Sequence, residues 1–188
     1  LKGCLPLSVI DPMCGNGRLF CGAPVDASLT GVDIDSRCID ALIQDAASKS
    51  DTDNGQYRYE ARGIETIDFD GYDVAVLNPA FSILLSSPNL IPFESNSFGL
   101  YGPLTSAQSH IYALEMSLRG ASVVAAILPS SLDDVWRSYP RLHSVVKLPK
   151  NTFVDEGANV ATSVYFFSPQ GSASVRDYSC KAGDSWPV

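Results

Sequence analysis

Short β-rich runs alternate with helical stretches along the whole chain, and that alternation limits the fold more than any other feature. Leu7 to Ile10, Leu29 to Ile34, Tyr57 to Ala61 and Tyr72 to Leu77 read as strands, as do Ser122 to Leu128, Ser144 to Leu148 and Ala161 to Phe167. A short helix follows Gly17. A longer one is expected from Ser36, a residue type suited to an N-cap, to Ser48, with Ile39, Leu42, Ile43 and Ala46 on one face. The next, Ser106 to Arg119, aligns Ala107, Ile111, Leu114 and Leu118 and closes at Gly120. A short helix is expected from Ser131 to Tyr139. Strands separated by helices need crossover connections, so the pattern predicts an α/β sandwich with a mostly parallel sheet covered on both faces. Such sheets bind ligands outside the carboxyl ends of their strands.

The composition agrees with one domain spanning residues 1–188: 45% of the side chains are hydrophobic and only 18% charged, enough for a substantial core. No apolar run approaches the ~18–20 residues of a membrane span, and the first residues lack the order of a signal peptide. The net charge of −8 and the lack of any basic cluster exclude a domain that grips nucleic acid by itself, because neutralising phosphates supplies most of that affinity. Either nucleic acid is not a partner or another segment holds it. Five cysteines at irregular spacing and two histidines give neither a disulfide framework nor a metal site; free thiols in a reducing cytoplasm are expected. His110 reads as a helix-surface residue and His143 as a strand-edge one.

The strand ends carry the chemistry. Asp11-Pro12-Met13-Cys14-Gly15-Asn16-Gly17 closes the first strand, and two glycines there let the backbone approach a ligand. A nicotinamide-type fingerprint needs a third glycine, and Arg18-Leu19-Phe20 stands in its place. An acid opening the loop would repel a pyrophosphate and suits an amine-bearing ligand. The second strand ends in Gly31-Val32-Asp33-Ile34-Asp35, placing Asp33 where a carboxylate can accept hydrogen bonds from ribose hydroxyls. The plainer alternative is that Asp11 and Asp33 cap loops and helices. The fourth strand ends in Asn78-Pro79-Ala80-Phe81, which is either a strand-ending turn or a seat for a flat, nitrogen-bearing substrate. A long connection with several prolines, Ser82 to Thr105, follows; its length suggests function, and Tyr101 within it could touch substrate.

Taken in order, these stretches resemble S-adenosylmethionine-dependent amino-methyltransferases. Asp11 to Gly17 is similar to their first motif and Gly31 to Asp35 to their second. Asn78-Pro79-Ala80-Phe81 resembles the catalytic Asn-Pro-Pro-aromatic motif, with alanine for the second proline. Ile127-Leu128-Pro129-Ser130-Ser131, Leu148-Pro149-Lys150-Asn151-Thr152-Phe153 and Thr162 to Phe166 are similar to later motifs of DNA adenine-N6 methyltransferases, the modification subunits of type I restriction systems above all. The resemblance covers essentially the whole chain. It implies a three-layer Rossmann-like methyltransferase sandwich, with a seven-stranded, mostly parallel sheet whose last strand is antiparallel.

It also implies roles. S-adenosylmethionine would be held by Asp11, Met13, Gly15, Gly17, Asp33, Ile34 and Ala80, with no metal. Asn78 and Pro79 would accept the protons of the target amine, Phe81 would stack on the flipped base, and Phe153 would be a second aromatic contact. In many relatives an acid near the third strand's end binds the cofactor's adenine amine; here Arg62 stands there, with Glu60, Glu65 or Asp68 as substitutes. The family's helical segment before the first strand and its target-recognition domain are not among these residues. The expectation is therefore a catalytic domain that reaches DNA through other segments or a restriction-modification partner subunit. Methylation of guanine N2 in RNA or of a protein glutamine is the second reading. A non-catalytic binding module on the same fold, suggested by Ala80 and Arg62, is the third.

Overall fold

The computed structural model describes residues 6–49, 56–81, 83–85, 107–154 and 160–181. Most of the Ser82 to Thr105 connection, Tyr101 included, lies outside them. In chain order the elements are β1 (Ser8–Asp11), β2 (Ser28–Asp33), α1 (Ser36–Lys49), β3 (Gln56–Ala61), β4 (Tyr72–Leu77), β5 (Leu84–Leu85), β6 (Ala107–Gln108), α2 (Ser109–Gly120), β7 (Ala121–Pro129), α3 (Asp133–Arg137), β8 (Leu142–Lys147), β9 (Thr162–Phe167) and β10 (Arg176–Ser179).

One sheet runs β10-β8-β9-β7-β4-β1-β2-β3, with β5 and β6 paired separately. β9 is antiparallel to both β7 and β8, and the remaining neighbours in the large sheet are parallel. The mostly parallel α/β sandwich with an antiparallel strand near its end is thus as expected. An eighth strand, β10, adds to the seven predicted. Its four residues are all exposed, so no buried alternation announces it, and it forms by pairing with β8 at the sheet edge.

The period-2 pattern of the central strands feeds two cores. Ile10, Ala75 and Leu77 join Ile111, Leu114 and Trp136 on one face, whereas Val9, Val74 and Val76 join Leu29, Phe20 and Ile39 on the other. α1 covers the second face. Asp35, not Ser36, caps it: its Oδ1 accepts the Arg37 N–H at 3.0 Å. Ile39 is buried and Leu42 and Ala46 are half-buried, but Ile43, at the margin of the stripe, is exposed.

α2 covers the first face and begins later than its pattern suggests, because Ala107 and Gln108 are taken up as β6 by pairing with Leu85 and Leu84. Ala107 therefore does not belong to the helix. Ile111, Leu114 and Leu118 are buried as expected, and so are His110 and Glu115, which corrects the surface placement of His110. The segment expected as one helix from Ser131 to Tyr139 splits into a 3-10 turn at Ser130–Leu132 and α3, with Trp136 buried and its Nε1 donating to the Pro129 carbonyl at 3.1 Å.

Along the edge where the parallel strands begin, side chains tie the backbone together. The Ser8 amide and hydroxyl donate to Asp73 Oδ2 at 2.9 and 2.7 Å. The Arg141 guanidinium donates to the carbonyls of Leu118, Ala121, Ser122 and Ser168. Among the described residues, Cys14, Cys21, Cys38 and Cys180 are free thiols, no metal-binding cluster occurs, and no helix is long and apolar enough to cross a membrane.

Candidate active site

The chain builds outward from β1 in two directions: β2 and β3 follow on one side, β4 and β7 on the other. The order reverses between β1 and β4, the place where open α/β sheets leave a crevice at their carboxyl edge. Asp11 ends β1 and Asn78 follows β4, so both flank that point.

Two clefts open there. One, of about 330 Å³, is lined by Asp11, Met13, Cys14, Gly15, Asn16, Arg18, Leu19 and Asn78. The other, of about 430 Å³, is lined by Met13, Asp33, Ile34, Asn78, Pro79, Ala80, Phe81, Ile83 and Phe153. Met13 and Asn78 belong to both, so the clefts adjoin. All four residues assigned to catalysis and six of the seven assigned to cofactor binding line one or both. Gly17 is the exception. It faces a third depression with Leu42, Tyr57 and Tyr59; its φ is +73°, and a Cβ there would come within 2.8 Å of the Leu42 side chain. The left-handed φ favours glycine there, and the Leu42 methyl would have to shift for any larger residue.

Backbone bonds shape the loop. The Cys14 amide donates to the Val32 carbonyl at 2.9 Å, and the Gly15 amide donates to Asp33 Oδ2 at 2.8 Å. The other Asp33 oxygen accepts the Asp35 amide at 2.9 Å. Asp33 therefore braces the glycine loop and the start of α1 while each oxygen keeps capacity for a further donor. Asp11 is 1% exposed, and its Oδ1 accepts the Met13 amide at 3.2 Å. Burial pushes its carboxyl up to about 7, against the lowering effect of that bond and with help from the nearby Asp33 charge. Burial likewise holds Glu115 up at about 7, although the Tyr139 hydroxyl donates to it at 3.0 Å.

Both acids keep their protons to higher pH in the folded chain than in the unfolded one. The folded state then binds more protons between the ordinary carboxylate range and about 7, and its stability falls as pH rises through that window. The thermal midpoint of the ligand-free protein is expected to drop over that range. The double variant Asp11→Asn, Glu115→Gln should flatten the profile, as differential scanning fluorimetry across pH will show.

The tetrapeptide is presented unevenly. Asn78 and Ala80 are exposed, Pro79 is buried and Phe81 half-buried. Phe81 meets His110 edge to face, centroids 5.9 Å apart and planes at 80°, and His110 meets Trp136 the same way at 6.2 Å. Burial lowers the His110 pKa. Phe153 reaches the cleft on a turn in which the Thr152 amide and hydroxyl bond the Pro149 carbonyl. On the β3 side, Arg62 pairs with Glu60 at 2.6 Å and donates to the Thr66 carbonyl at 2.8 Å. None of Glu60, Glu65 and Asp68 lines either cleft. The sequence reading missed Ser109 and His110, which pack behind the tetrapeptide.

This strand order, with its antiparallel β9 and its crevice between β1 and β4, defines the Rossmann-like fold of S-adenosylmethionine-dependent methyltransferases. No family model and no curated protein matches the sequence, but solved structures match the fold. A methyltransferase subunit of a type I restriction-modification system from Streptococcus thermophilus superposes with a TM-score of 0.67 at 14% identity, over 93% of this chain and 42% of that one. The modification subunit assigned to a type I restriction enzyme from Vibrio vulnificus gives 0.67 at 16%, over 96% and 44%. An rRNA methylase from Streptococcus thermophilus gives 0.53 at 12%, over 89% of each chain. This chain thus spans less than half the length of the two restriction-modification subunits.

Proposed function

We propose that this chain methylates an exocyclic amine, adenine N6 in DNA, with S-adenosylmethionine as donor. The carrying observation is the position of Asn78, which lines both clefts, with Pro79, Phe81 and Phe153 around one and Asp11 in the other.

The residues present fit the donor. Asp11 offers a buried acid to its ammonium group, and Asp33 has lone pairs left for its ribose hydroxyls. Ile34, 79% exposed, and Ala80 offer apolar surface to its flat ring, with no acid from the β3 side. The chemistry a sulfonium donor brings is a methyl carbon that accepts a nitrogen lone pair as its C–S bond breaks to leave a neutral thioether.

The chain's own part is to make that lone pair available. An aromatic amine delocalises it into the ring. The Asn78 side-chain oxygen and the Pro79 carbonyl, as paired acceptors, favour a tetrahedral nitrogen, and proline pre-sets its own φ. Phe81 and Phe153 supply faces for the base, and holding both reactants in line contributes much of the acceleration. Among the described residues that line that cleft, Asp33 is the titratable one, and both its oxygens accept backbone amides. No base is therefore assigned among them, and the proton of the methylated nitrogen passes to solvent.

DNA is favoured over RNA by the order of the later motifs and by the higher TM-scores to restriction-modification subunits. The acidic charge assigns the grip on DNA to other segments or to a partner subunit of that type. Labelled methyl transfer to DNA, RNA and protein in parallel, with nucleoside analysis, tests the reading. N6-methyladenine in DNA is the expected product. Label in RNA guanine or in a protein glutamine would replace it, and failure of intact full-length protein to bind the donor in calorimetry would remove enzymatic readings altogether.

A further inference from the structure

We propose that Ser109 is a positioning residue that supplies, from α2, the backbone restraint that alanine at position 80 leaves out; the inference rests on reading Asn78 to Phe81 as the reaction centre. Ser109 is 1% exposed at the first position of α2. Its hydroxyl donates to the Ala80 carbonyl in a short hydrogen bond, and its amide donates to the Ile83 carbonyl at 2.8 Å. These bonds grip the chain on both sides of Phe81. The next residue, His110, meets the Phe81 ring edge to face and is itself seated on Trp136. One helical turn thus holds the peptide before Phe81, the ring itself and the chain after it.

A serine at the N-cap turns its oxygen on the first amides of its helix. Ser109 stands one position further in, behind Gln108, and its hydroxyl bonds outward to the tetrapeptide. Alanine at position 80 has an unrestricted φ, whereas proline would fix it near −65°. The Ala80 amide makes no hydrogen bond among the described residues, so a proline there would remove none. The carbonyl that Ser109 holds belongs to the peptide plane that aims Phe81. The ring would fix φ of residue 80 and the hydrogen bond fixes the peptide plane that follows, so the two restrain adjacent torsions of one residue, and the ring should offset loss of the hydrogen bond.

The test uses the full chain in four forms: wild type, Ser109→Ala, Ala80→Pro and the double variant. Hydrogen exchange is followed for a peptide covering residues 107–113, in which the Ser109 amide is bonded to the Ile83 carbonyl, with β1 and β2 peptides as controls for global stability. Ser109→Ala is expected to loosen that contact and speed exchange of the amide at position 109 about tenfold, the scale of one buried hydrogen bond, with the controls unchanged. Ala80→Pro alone should leave exchange within about twofold of wild type, and added to Ser109→Ala it should restore wild-type exchange. Single-turnover transfer by Ser109→Ala should fall at constant donor affinity, a loss in rate and not in binding. Equal exchange in wild type and Ser109→Ala, a rise confined to no segment, or no rescue by proline would each overturn the proposal. Exchange decides the restraint and transfer by wild type decides the chemistry, so a wild type that binds no donor but shows the exchange pattern would sink only the methyltransferase reading.

Discussion

Replacing Asn78 by alanine is expected to slow methyl transfer by two to three orders of magnitude, roughly the cost of removing one preorganised polar partner from a reaction centre, while donor affinity stays within about twofold. Asn78 is exposed at the end of β4 and makes no hydrogen bond among the described residues. Truncating it therefore breaks no bond that holds the fold together. On the proposed reading it would remove one of two acceptors for the amine, leaving the Pro79 carbonyl alone. Asn78→Asp keeps an acceptor and should retain more activity than alanine. Single-turnover rates measured beside calorimetric donor affinity and thermal midpoints will separate these effects. A transfer rate in Asn78→Ala equal to wild type would show that the amine is activated some other way.

Asp33→Ala should fail at an earlier step, with donor affinity falling by at least about a hundredfold. Two effects add. The carboxylate would lose its bonds to two ribose hydroxyls, each worth roughly 1.5–3 kcal/mol when the acceptor is charged. It would also abandon the Gly15 and Asp35 amides, releasing the loop that walls the first cleft. Asp33→Asn keeps one oxygen and the side chain's shape, so its loss should be smaller. Asp35→Ala removes the cap of α1 and the 2.7 Å pair with Arg37 but leaves both Asp33 oxygens in place, so its cost should appear in the thermal midpoint more than in donor affinity. Calorimetry with the donor across the three variants measures the order. Equal affinity in Asp33→Ala and wild type would leave Asp33 as a loop brace only.

What could be read without coordinates follows physical locality. β4 was legible end to end because Tyr72 to Leu77 is a clean run that stops at a proline, and that stop aimed the search at Asn78. The Asp11 loop and Asp33 were legible because glycine and carboxylate at strand ends have few uses. The start of α2 was not, since Ala107 and Gln108 are helix-compatible and become a strand only by pairing with Leu84 and Leu85. β10 has no buried side to betray it. The burial of His110 depends on Phe81 and Trp136, both distant in sequence, and the hold of Ser109 on Ala80 joins residues 29 positions apart. Gly17 belongs to the motif that the resemblance assigns to the donor; its place beside Leu42, away from both clefts, is visible only in the fold.

The Arg141 and Ser8–Asp73 ties sit on the edge where the parallel strands begin, and both clefts sit on the edge where they end. The sheet is laced shut at the rim away from both clefts. A mutation there should reach the donor site only through the fraction of molecules that unfold, so raising the donor concentration would rescue it by mass action. Lesions at the opposite rim would instead weaken binding by molecules that are already folded. Ligand titration read beside the thermal midpoint could therefore sort damaging substitutions by rim before any of them is assayed for transfer.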